Sequence, residues 1–131
     1  MPEKARILLI DDEQNILNSL QRFFRRNGFE VFTSSSGKDA LNVLEQNSPF
    51  SLIITDYRMP EMNGVEFLEI ASSRWPDTMQ IVLSGYADAG AVLSATNEGN
   101  IFKFITKPWD EDELLNAVRS AIDYYDVRLK R

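Results

Sequence analysis

Five short runs of β-type apolar residues divide this chain at near-even intervals, and that alternation limits the folds open to it more than any other feature. The runs are ARILLI (5 to 10), EVFT (30 to 33), SLIIT (51 to 55), MQIVL (79 to 83) and IFKFI (101 to 105), spaced by roughly one βαβ repeat each. Helical patterns lie between them: Ile16, Leu17, Leu20, Phe23 and Phe24, then Ala40, Leu41 and Leu44, then Val65, Leu68 and Ala71. Each presents one apolar face at a spacing near 3.6 residues. Turn residues fall where each helix must stop, at Asn27-Gly28, Asn47-Ser48-Pro49, Trp75-Pro76-Asp77 and Glu98-Gly99-Asn100. Strict strand-helix alternation predicts an α/β fold, a parallel sheet covered on both faces and joined by right-handed crossovers. A length of 131 residues fits one such domain, and no internal repeat or low-complexity tract interrupts it.

The last helix is expected from Asp110 to Arg131, about 33 Å at the rise of an α-helix. Leu115, Val118, Ile122, Tyr125 and Leu129 step along it by three and four. That spacing suits either a core helix with a charged end or a helix that continues as a linker or dimer seam.

Composition removes several function classes. The chain has no cysteine and no histidine, so disulfides, thiol chemistry and imidazole or thiolate metal sites are closed to it. Any metal must be held by oxygen. No run approaches the ~20 apolar residues of a membrane span, and the opening MPEKARILLIDDE does not fit a signal peptide. A cytoplasmic location without membrane contact is the expectation. A net charge of −6 argues against direct nucleic-acid binding by this domain, because such surfaces are basic.

In an open parallel sheet, ligands bind beyond the carboxyl ends of the strands, where strand order switches. Asp11 and Asp12 end the first run, Asp56 the third and Ser84 the fourth, and Lys107 follows the fifth. If the first and third strands are neighbours, three carboxylates share one pocket. Like charges ~4 Å apart repel by about 4 kcal/mol per pair at an effective dielectric of 20. A hard divalent cation answers that repulsion, and Mg²⁺ suits two or three protein oxygens better than Ca²⁺, which takes a fuller cage. A carboxylate beside such a cation and a lysine is also a good phosphoryl acceptor, which makes Asp56 the candidate nucleophile. Taken singly, each residue has a plainer reading as a cap or turn; their coincidence at the ends of strands one, three, four and five is what carries the functional one.

IDDE at 10 to 13, ITDYRMPEMNG at 54 to 64, VLSGYA at 82 to 87 and FITKPW at 104 to 109 together resemble the receiver domain of bacterial two-component response regulators. The resemblance covers residues 1 to 123 and leaves 124 to 131 as an extension of the last helix, a linker to an output domain. It implies a flavodoxin-like, doubly wound fold of five strands in order 2-1-3-4-5 with five helices, and a cis peptide before Pro108. It also implies that Asp56 takes a phosphoryl group from a histidine kinase or phosphotransfer protein, with self-phosphorylation from a donor and self-dephosphorylation as the only chemistry. Asp12, Asp56 and the Arg58 backbone carbonyl would hold Mg²⁺ directly, and Asp11 would act through water. Lys107 would pair with the phosphoryl group or its carboxylate. Ser84 would bond a phosphoryl oxygen, and Phe104 would be the aromatic switch, its ring turning from solvent towards the fourth helix. The fourth helix, ADAGAVLSATNEG with Gly90 inside it, would yield in that change, and the surface of fourth helix, fifth strand and fifth helix would contact an output or form a homodimer. The stretch NEGNIFKFITKPWDEDEL is similar to receivers joined to HD-GYP-type phosphodiesterases or built into hybrid sensor kinases, which leaves the output class open.

Two substitutions depart from the commonest pattern. Ser84 stands where threonine is frequent, and Phe104 where tyrosine is. Arg58, two residues past the acceptor, is placed to affect the phosphoryl lifetime. Competing readings are a phosphorylation-independent scaffold, a Mg²⁺-dependent aspartyl-phosphate phosphohydrolase and a nucleotide or flavin binder. The second lacks D-x-D, having Asp56-Tyr57-Arg58, and the third lacks a glycine-rich loop after the first strand.

Overall fold

The computed structural model describes residues 4 to 96 and 101 to 130. Strands β1 (Arg6–Ile10), β2 (Glu30–Ser34), β3 (Leu52–Asp56), β4 (Met79–Ser84) and β5 (Lys103–Thr106) alternate with helices α1 (Gln14–Arg26), α2 (Gly37–Asn47), α3 (Gly64–Arg74), α4 (Ala89–Thr96) and α5 (Glu111–Leu129). A 3-10 turn, Tyr86–Asp88, precedes α4. The strands pair in parallel in the order β2-β1-β3-β4-β5, the order the sequence resemblance implied. After β2 the chain crosses to the other side of β1, which creates the switch point where ligands bind in such sheets.

Alternation along the strands divides the apolar side chains between two cores. Ile7, Leu9, Leu52, Ile54, Ile81 and Leu83 face α1 and α5, meeting Leu17, Leu20, Phe24, Leu114 and Val118. Leu8, Ile10, Ile53 and Val82 face the other way, onto Ala40, Leu44, Phe67, Leu68, Ala71 and Val92. Every residue of β3 and β4 is buried, as expected for central strands covered on both faces.

Local chemistry sets the helix ends. Asn27 and Gly28 stop α1, with Gly28 at φ 91°, the left-handed conformation glycine adopts without a Cβ penalty. Ser36 caps α2 by accepting from the Asp39 amide, and Asp110 caps α5 by accepting from Asp112 and Glu113. Asn63 and Glu66 form a reciprocal capping box on α3. The Lys107-Pro108 peptide is cis, as expected, and so is Ser48-Pro49.

Two details differ from expectation. The buried face of α5 is Leu114, Ala117, Val118, Ala121 and Tyr125, so the stripe is rotated from the one read in the sequence. Leu115 and Ile122 are half-buried and Leu129 is exposed. Small Ala117 and Ala121 let the helix lie close to the sheet, a contact that a search for large aliphatic residues passes over. The segment after β4 begins as a 3-10 turn, so Gly90 is the second residue of α4 rather than an interior one. The expected stop at Glu98-Gly99-Asn100 lies outside the described residues.

Gly64 opens α3 directly beneath the end of β3. Its amide donates to the Tyr57 carbonyl at 2.8 Å, and a Cβ there would collide with the Asp56 carbonyl oxygen and lie 3.1 Å from Tyr57 Cα. Both obstacles are backbone, which cannot swing aside. Gly64→Ala should therefore lower stability by about 1–3 kcal/mol, read as a lower urea midpoint at unchanged m-value.

Candidate functional site

The sheet register carries three acids to one place. Ile10 pairs with Thr55 across β1 and β3, so the next residues, Asp11 and Asp56, leave neighbouring strands side by side. The Asp11 amide donates to the Ser34 carbonyl, which extends the β1–β2 ladder one step and fixes where Asp11 and then Asp12 emerge. Oxygens of Asp11, Asp12 and Asp56 all lie within 4.8 Å of one another. Asp11 and Asp56 are buried and Asp12 is exposed.

Lys107 reaches this cluster from two strands away. Its amide donates to the Ser84 carbonyl at 2.8 Å, and its side chain passes the end of β4 to put Nζ 3.0 Å from Asp56 Oδ1 and 3.2 Å from Asp11 Oδ2. The second Asp11 oxygen accepts from the Glu13 amide at 2.9 Å. Asp11 is thereby committed to a lysine and a backbone amide, while Asp12 keeps its carboxylate towards solvent. Ser84 is buried, and its hydroxyl donates to the Gly85 carbonyl.

Burial pushes the Asp56 carboxyl above its ordinary range; the Lys107 hydrogen bond and charge pull it down, and Asp11 and Asp12 push it up again. Burial pulls the Lys107 ammonium down, but Asp56 and Asp11 outweigh it and the group is held above its usual value. One ammonium therefore stays charged among three acids. Oxygen-only ligands in this arrangement fit a hard divalent cation.

The mouth of the site is an open cleft of about 490 Å³ whose walls include Asp12, Tyr57, Arg58, Asn63 and Asp88. Arg58, two residues past Asp56 in the sequence, sends its guanidinium across the cleft to Asp88 in two hydrogen bonds of 2.7 and 3.0 Å. Asp88 escaped the sequence reading. Nothing in ADAG marks it, because its partner is 30 residues away. Phe104 does not stand in solvent as expected: it is half-buried against the apolar cluster that contains Val82 and Val92.

The raised pKa of Asp56 has a measurable consequence. An acid whose folded-state pKa lies above its unfolded value costs stability while ionised, and that cost disappears as pH falls through the folded-state pKa. Metal-free Asp56→Asn protein should melt above wild type at neutral pH, and the gap should close on acidification. A lower melting temperature for the variant at neutral pH would show that the Lys107 pair outweighs burial and repulsion.

A family model described as the response regulator receiver domain matches residues 7–119. The hydrogenase transcriptional regulatory protein HoxA of Cupriavidus necator is 39% identical over 121 residues, 92% of this chain and 25% of that protein. The regulatory protein AtoC of Escherichia coli is 32% identical over 123 residues, 94% of this chain and 26% of that one. The chain thus spans about a quarter of the length of these curated relatives. The solved signal receiver domain of an HD domain-containing protein from Pseudomonas fluorescens Pf-5 is similar with a TM-score of 0.93 at 30% identity, covering 100% of this chain and 96% of that one. No described helix is long and apolar enough to cross a membrane. With a family match across most of its length and the parallel 2-1-3-4-5 sheet that carries the acid cluster, the chain belongs to the receiver domains of two-component response regulators.

Proposed function

We propose that this domain is a phosphoacceptor switch in which Asp56 takes a phosphoryl group from the phosphohistidine of a kinase or phosphotransfer protein. The observation that carries the reading is Asp56 at the end of β3, 3.0 Å from Lys107 Nζ and inside a cluster of acids within 4.8 Å. A carboxylate oxygen of Asp56 attacks phosphorus, the O–P bond forms as the P–N bond to the donor imidazole breaks, and the imidazole leaves with the electron pair. The chain has no histidine, so the donor is another molecule.

Asp12, Asp56 and the Arg58 carbonyl are the groups that would hold Mg²⁺, with Asp11 acting through water. When bound, Mg²⁺ would supply the positive charge that the acids and the incoming phosphoryl oxygens need. Lys107, already on Asp56 and Asp11, neutralises charge developing on the transferred group. Ser84 gives up the Gly85 carbonyl to bond a phosphoryl oxygen, carrying the β4–α4 connection inward, and Phe104 follows deeper against α4.

The output acts through α4, β5 and α5. Leu93, Tyr124 and Val127 on these helices are more than half exposed, and Tyr124 meets Phe102 at a tilt with ring centroids 5.3 Å apart, which supports a homodimer or an output contact there. In this reading residues 1 to 123 are the receiver domain and 124 to 131 are a linker towards whatever it controls. The setting is cytoplasmic, with no direct nucleic-acid contact by this acidic domain.

Intact-mass measurement after incubation with acetyl phosphate and Mg²⁺ decides the acceptor. Wild type should gain one phosphoryl mass and Asp56→Asn none; equal gain in both removes Asp56 from the role. Lys107→Ala should still bind Mg²⁺ yet respond poorly to phosphorylation, and complete loss of Mg²⁺ binding in that variant would contradict the division of labour.

A further inference from the structure

The acid cluster has its lysine, but a second cation stands at its mouth and is spent elsewhere. Arg58 lies two residues past Asp56, and its guanidinium forks onto both oxygens of Asp88. Asp88 closes the 3-10 turn immediately before α4. The pair therefore ties the loop after the acceptor strand to the start of the helix expected to move. Planar guanidinium groups favour bidentate oxygen partners, phosphoryl groups among them.

Helix α4 is short, with 8 residues. Val92 is its one buried residue among those whose burial is described, and Gly90 lies in its first turn. A short helix is among the less stable elements of a fold, and the ion pair helps to fix its start. The Arg58 side chain is 75% exposed, which keeps the pair weak enough to exchange. Arg58 and Asp88 also share the cleft wall with Asp12, an oxygen of which lies within 4.8 Å of one on Asp56.

We infer that Asp88 is a positioning residue that parks Arg58 away from Asp56, and that a phosphoryl group on Asp56 draws the guanidinium off Asp88 and so releases the start of α4. The added group brings about −1.5 to −2 charge and three acceptor oxygens, against the single charge of Asp88. Exchange of partners makes Arg58 a sensor of the acceptor's state, and Asp88 the counterweight that sets how much phosphoryl binding energy the release consumes. A ligand shifts such an equilibrium only by its differential affinity for the two arrangements.

The inference rests on the phosphoacceptor reading of Asp56, and one titration separates the two. Beryllofluoride is added to the protein at saturating Mg²⁺ and binding is followed by calorimetry in wild type, Asp88→Asn, Arg58→Gln and the double variant. Freed from its competitor, Arg58 should bind the mimic better, so Asp88→Asn should tighten binding by about two- to fivefold, the range of an exposed ion pair. Arg58→Gln should weaken it, and the double variant should match Arg58→Gln, because Asp88 acts only through Arg58. Unchanged or weaker binding in Asp88→Asn overturns the inference, as does tightening that persists when residue 58 is glutamine. A wild type that takes up no mimic overturns the phosphoacceptor reading itself, and the partner exchange with it.

Discussion

Lys107 stands 3.0 Å from Asp56 and 3.2 Å from Asp11, and the arrangement of the site hangs on that double contact. Parallel pairing of β1 with β3 forces the two carboxylates together, burial raises the cost of leaving them charged, and one ammonium offsets only part of it. The remaining negative charge is what suits the site to a hard cation. A salt bridge of this kind is weak evidence for stability. Its contribution is to the charge balance of carboxylates that strand pairing has already brought together.

Stability is distributed to match. The two central strands, β3 and β4, are buried along their whole length and carry Asp56 and Ser84 at their ends. Strand β3 is further pinned by Gly64 beneath it and by the Asn63–Glu66 capping box that begins α3. On the other side of Ser84 the chain passes into a 3-10 turn and a short helix in which Val92 is the buried residue among those whose burial is described. In the proposed switch, a change of charge at the end of the buried strands would be felt first in the less buried element beside them.

Charge pairing at the mouth links these parts. Arg58 belongs to the rigid side by its backbone and to the yielding side by its guanidinium, which meets Asp88 at the start of α4. Hydrogen bonding from Arg58 holds the Asp88 carboxyl below its usual range, and in the proposed exchange the pair lasts until a stronger anion arrives.

Much of this was legible in the sequence. The alternation of apolar runs with amphipathic stretches dictated a parallel α/β sheet, since period-2 and period-3.6 patterns can be buried together only in layers. The positions of Asp11, Asp12, Asp56, Ser84 and Lys107 at strand ends followed from where each apolar run stopped, and Asp56 and Lys107 meet as their types suggested. The strand order came only through resemblance, because periodicity says which face a residue takes and not which strand lies beside it. The rotation of α5 onto Ala117 and Ala121, the half-buried placement of Phe104 and the reach of Arg58 to Asp88 were decided by the tertiary structure alone. Each depends on a neighbour distant in the chain, and local sequence records the chemistry of a side chain but not the partner that packing brings to it.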